Sequence, residues 1–161
     1  MGKKDIPETE LAFIGGSSTF AINFPEDLKI PGVRTIEKKT FTTPFGESPE
    51  FTVFEIHGDK VLTVKMHGWR PGVNRADASR QIFWIFEQAG VKKILAEGGV
   101  GTIKKNFKLR DFIVPYDYID LSLRKDVSLS EKYLLIMRNP ICPELAKSLC
   151  KQVKECSRKD G

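Results

Sequence analysis

A chain of 161 residues with 40% hydrophobic and 29% charged residues is long enough for one domain, 1–161, with a buried core, and its composition excludes disordered and fibrous classes. No apolar run approaches the ~18 residues of a membrane span, and the segment Met1–Asp5 opens no apolar signal region, so no membrane partner is expected. The net charge of +5 is diffuse, and no aromatic residues interleave regularly with the basic runs at 104–110 and 151–159, which argues against nucleic acid and leaves a mild attraction for small anions. Cys142, Cys150 and Cys156, with two histidines in the whole chain, form no metal-ligand pattern, and a reduced cytoplasmic protein is the simpler expectation.

In chain order, residues 11–14 (Leu-Ala-Phe-Ile) read as a short buried strand stopped by Gly15 and Gly16. Residues 50–56 and 60–66 are two β-rich runs around His57-Gly58-Asp59, a hairpin turn. In the second run Val61, Thr63 and Lys65 alternate with Leu62, Val64 and Met66, so one apolar face is expected. Residues 75–89 change to helical period, with Ala78, Ile82, Ile85, Phe86 and Ala89 on one face and Gly90 as C-cap. Phe83 and Trp84 lie off that stripe and form either a second packed face or an interface. A strand over 92–96 runs into Glu97-Gly98-Gly99-Val100-Gly101. Further strands are expected at 112–114, continuing toward 118–120, and at 134–137. Pro143 starts a helix whose stripe is Leu145, Leu149, Val153 and Cys156, with Ala146 and Cys150 beside it. Strands alternating with helices give an α/β layer fold with a central mixed, largely parallel sheet, in which ligands sit beyond the carboxyl ends of strands.

Two loops stand at such strand ends. The first, Gly15-Gly16-Ser17-Ser18-Thr19, offers main-chain amides and three hydroxyls, which suits either an oxyanion or a glycine turn with serine capping. It lacks the Gly-Lys-Ser/Thr of a Walker A loop. The second, at 98–101, is not a G-x-G-x-x-G pattern. His67 follows a strand end, where a histidine either serves an anion or proton transfer or is structural. Cys142 precedes a helix N-terminus, which suits either a thiol of lowered pKa or simple packing. No Ser-His-Asp set or carboxylate pair follows from spacing.

Taken together, "FIGGSS", "TPFGESPEFTVFEIHGDKVLTVKMHG", "FWIFEQAGVKKILAEGGVGTI", "RDFIVPYDYIDLS" and "NPICPELAKSL", spanning about Leu11 to Val153, resemble the purine nucleoside phosphorylases, and within them the 5′-methylthioadenosine phosphorylase branch. The resemblance implies a three-layer α/β fold assembled as trimers or hexamers. It implies phosphorolysis of a purine nucleoside to a free base and a sugar 1-phosphate. Inorganic phosphate is the co-substrate, with no metal or organic cofactor. By the same resemblance Ser17 and His67 meet the phosphate, and Gly98, Gly99, Val100 and Gly101 line the nucleoside. Three positions depart from the family pattern: Met66 stands for an arginine, Pro71 for a histidine, and Gly98 for a phosphate-binding side chain. Each lost charge-assisted hydrogen bond is worth on the order of 1.5–3 kcal/mol. Arg70 lies close by in sequence as a substitute. The purine-binding blocks that follow in the family are absent after Gly161, so the fold is expected to be incomplete at the C-terminus and the activity impaired. The alternative is a non-catalytic relative, an oligomerising or purine-binding module.

Overall fold

The computed structural model describes residues 5–66, 70–121 and 138–157. They fall into two compact units. The first takes the described residues up to Val100, and the second those from Gly101 onward.

The first unit contains strands β1 (Leu11–Gly15), β2 (Val33–Lys39), β3 (Thr42–Thr43), β4 (Gly46–Glu47), β5 (Phe51–Ile56), β6 (Asp59–Lys65) and β7 (Lys93–Ala96), and helix α1 (Arg75–Ala89). Five of the strands form one sheet in the order β2-β5-β6-β1-β7, while β3 and β4 make a small separate hairpin. β2–β5 and β5–β6 pair antiparallel, whereas β6–β1 and β1–β7 pair parallel. The sheet is therefore mixed, and in its parallel half β6, β1 and β7 end at one edge.

Local chemistry explains the elements. The β5–β6 turn places His57 at φ 52° and Gly58 at φ 92°, with Ile56 opposite Asp59, the two-residue geometry whose twist suits a hairpin. Helix α1 begins where the Asn74 side chain accepts the Asp77 N–H at 2.9 Å. It ends at Gly90, whose φ of 78° favours a residue without Cβ. Ile82, Ile85, Phe86 and Ala89 are buried as their period requires. They pack with Ala12, Ile14, Phe51, Val53, Leu62 and Val64 from the sheet. Trp84 packs against this core, and Phe83 stays half-exposed in an edge-to-face contact with Phe86.

The structure corrects several expectations. In β6 the expected apolar face is buried at Leu62 and Val64 but not at Met66 past the strand end, and Val61 and Thr63 on the other face are buried as well. Beside it Phe54, on β5, meets Phe24 edge to face at 5.7 Å, and Phe24 meets Phe13 at 4.6 Å. The loop 16–32 thus supplies an aromatic lid to the face away from α1. β2 carries mostly charged and half-exposed residues and gave no apolar signal. In the second unit, residues 112–114 form no strand, because β-rich side chains make a strand only when a partner supplies hydrogen bonds. Helix α2 (Pro143–Ser157) starts at the expected proline. Leu145, Ala146, Leu149 and Val153 are its partly buried side, but Cys150 and Cys156 are exposed. The strand expected at 134–137 lies outside the described residues.

Candidate functional site

β1, β6 and β7 run parallel, with Gly15 opposite Lys65 and Ile14 opposite Ala96. Their carboxyl ends therefore share one edge, and the segments 16–19 and 97–100 start there beside Met66. Two main-chain bonds extend the ladder beyond the strands: Met66 N–H donates to the Gly15 carbonyl at 2.8 Å, and Glu97 N–H to the Ile14 carbonyl at 3.1 Å.

The two glycine loops touch directly. Gly99 N–H donates to Ser17 Oγ at 2.5 Å. A Cβ on Gly99 would stand 2.6 Å from that oxygen, and a Cβ on Gly16 would meet the Glu97 carbonyl. Glycine at 16 is thus required by the approach of the Glu97 main chain, whereas a side chain at 99 would displace the Ser17 hydroxyl and its hydrogen bond. At Gly98 and Gly101 an added Cβ meets nothing within 4 Å among the described residues. Ser17, Gly98, Gly99 and Val100 are brought to one edge; Gly101 belongs to the second unit. His67 lies outside the described residues.

A residue not anticipated from the sequence occupies the centre of this loop. The Glu97 carboxylate accepts the N–H groups of Gly16, of Ser18 at 3.2 Å and of Thr19 at 3.0 Å, and the Thr19 hydroxyl at 2.7 Å. Burial works to raise its pKa, but the hydrogen bonds from Thr19, Ser18 and Gly16 outweigh burial and lower it to about 2. The sequence held one signal: a carboxylate directly before Gly98, in a segment that leaves a strand end.

Arg70 is engaged by the neighbouring hairpin. Its guanidinium donates to the Glu47 carbonyl at 3.1 Å and to Gln81 Oε1, and the Gln81 amide in turn donates to the Phe45 carbonyl at 2.7 Å. Burial pulls the guanidinium pKa down from its ordinary value. Met66, half-exposed at the strand end, brings no charge. Lys65 Nζ donates to the carbonyls of Phe20 and Ile22 at 3.0 and 2.6 Å, holding the first loop against β6. No cluster of metal-ligating side chains occurs among the described residues. A cavity at the opposite, amino edge, lined by Glu8, Thr9, Glu87 and Gly90 among others, gathers no comparable set of converging donors.

Against known proteins, the profile of the Phosphorylase superfamily matches residues 10–160. The chain is 30% identical over 121 residues to the probable S-methyl-5′-thioinosine phosphorylase of Methanothermobacter thermautotrophicus, covering 72% of this chain and 42% of that protein. It is 27% identical over 150 residues to the S-methyl-5′-thioadenosine phosphorylase of Nitrosopumilus maritimus, covering 88% and 53%. With the S-methyl-5′-thioadenosine phosphorylase of Saccharolobus solfataricus it shares 24% over 158 residues, covering 94% and 55%. The chain spans about half the length of the curated relatives it matches.

Proposed function

This chain belongs to the phosphorylase superfamily, and on that premise we propose that the shared edge of β1, β6 and β7 is a purine-nucleoside site whose phosphorolysis is impaired. The nucleoside class is that of S-methyl-5′-thioadenosine, after the names of the matched relatives. The observation that carries the reading is the meeting of loops 16–19 and 97–100 at one strand edge, joined through Gly99 N–H and Ser17 Oγ.

Phosphorolysis puts a phosphate oxygen on C1′ while the bond to the base breaks, and positive charge gathers on the sugar. Catalysis is then mainly placement of the phosphate beneath the sugar and stabilisation of the leaving base. Ser17 Oγ accepts from Gly99 and keeps its own proton to give to phosphate. By the family resemblance His67 is assigned with Ser17 to the phosphate, Arg70 would join them only by leaving Glu47 and Gln81, and the backbone of Gly98, Gly99 and Val100 is assigned to the nucleoside. Inorganic phosphate is the co-substrate, with no metal or organic cofactor. The working form is a cytoplasmic homo-oligomer, a trimer or hexamer. Impairment follows from Met66, Pro71 and Gly98, which leave the phosphate without an arginine, a histidine and a side-chain donor.

The test is phosphate-dependent cleavage of S-methyl-5′-thioadenosine, S-methyl-5′-thioinosine, adenosine and inosine, with calorimetric binding of each. Nucleoside binding with turnover far below ordinary enzyme rates (about 1–1000 per second) is expected. Ordinary rates would overturn the impairment, and failure to bind any nucleoside would overturn the site. A second reading, a purine-binding module without catalysis, is favoured by the engagement of Arg70 with Gln81 and Glu47. Binding with no cleavage at all decides for it.

A further inference from the structure

Three main-chain amides and one hydroxyl, from Gly16, Ser18 and Thr19, point at the two oxygens of Glu97. Such a concave set of donors suits any small oxyanion. A phosphate offers the same acceptors to the same donors and carries a charge of the same sign. The two cannot be seated together.

We propose that Glu97 is a tethered competitor, occupying the donor loop in place of a free oxyanion, and that the loop becomes a phosphate site when this carboxylate is removed. The inference rests on the reading of this edge as the phosphate side of the site. Its main chain is pinned, because Glu97 N–H donates to the Ile14 carbonyl and the preceding strand pairs with β1. A side chain held this way acts at an effective concentration of about millimolar or more. Dissolved phosphate must exceed that before displacing it, and must do so against charge repulsion. Gly16 sharpens the fit: the Glu97 carbonyl lies where a Cβ would be, so the donor loop and the carboxylate's own backbone are packed together without a spacer.

The experiment is calorimetric titration of inorganic phosphate into the full chain and into Glu97→Ala, Glu97→Gln and Glu55→Ala. Glu97→Gln keeps the side-chain volume should Glu97→Ala fail to fold, but it loses the charge and one of the two accepting oxygens, so it is a weakened competitor and not an absent one. Glu55→Ala, on β5, removes an equal charge from the ion pair with Arg34 on β2. Phosphate affinity should rise at least about tenfold in Glu97→Ala, by less in Glu97→Gln, and stay at the wild-type level in Glu55→Ala. Acetate, a free carboxylate, should compete with phosphate for Glu97→Ala. Equal phosphate affinity of wild type and a folded Glu97→Ala overturns the inference, as does an equal gain in Glu55→Ala. Phosphate binding to Glu97→Gln without nucleoside binding upholds this inference and sinks the nucleoside reading. Nucleoside binding with phosphate affinity unchanged does the reverse.

Discussion

Glycines that look alike in sequence have different duties. Gly16 lies against the Glu97 carbonyl, whereas Gly98 has open space where a side chain would begin. Gly16→Ala should therefore cost about 1–3 kcal/mol, the range for forcing atoms into a packed site, while Gly98→Ala should stay within about 0.5 kcal/mol. Urea midpoints of the two variants check the contrast. Glu97 makes a pH prediction. Its folded pKa lies below the ordinary 4.5, at about 2, so its hydrogen bonds favour the folded state fully above pH 4.5. That contribution fades as pH falls toward 2, when the carboxylate takes up a proton in the folded chain too. The stability difference between wild type and Glu97→Gln should shrink across that window, as read by denaturation at several pH values.

At the scale of elements, α1 joins two kinds of chemistry. One side is apolar and fixes the sheet; Gln81, equally buried, fixes the β3–β4 hairpin and Arg70 through its amide. Replacing it by leucine keeps the bulk but leaves the Phe45 carbonyl and part of the guanidinium without partners. Gln81→Leu should cost about 1–3 kcal/mol, measured by thermal or urea unfolding. The Asn74 cap is simpler: Asn74→Ala should cost about 1 kcal/mol and leave ligand binding alone. The Gly90 cap of α1 was read from the sequence, because capping depends on residues within one turn; the Asn74 cap was not. Residues 112–114 were misread for the opposite reason. A strand exists only through a partner, and neighbours in sequence do not reveal whether one arrives.

For the whole molecule, the parallel half of the sheet is the decisive feature. It brings together at one edge the exits of β1, β6 and β7, which are far apart along the chain, and this is the edge proposed for the ligand. A nucleoside bound there stabilises the folded chain by mass action, by about 2.7 kcal/mol at a concentration 100 times Kd. A rise in melting temperature with S-methyl-5′-thioadenosine and none with a simple sugar is the expected pattern. Among the described residues no helix is long and apolar enough to cross a membrane.

The sequence by itself determined the β1 strand, the β5–β6 hairpin, α1 with both ends, β7 and the start of α2. Each is written in periodicity, a turn pair or a cap, all of which act over a few residues. It also determined the family, through the order of its blocks, and the two glycine loops as places of interest. Only the tertiary structure decided what those loops hold. Glu97 and Thr19 are 78 positions apart, and nothing local links them. They meet because β1 and β7 pair in parallel, which sets a carboxylate leaving one strand against the amides leaving the other. The same pairing decided that Gly99 makes room for Ser17, a role that no count of glycines could distinguish from room for a ligand.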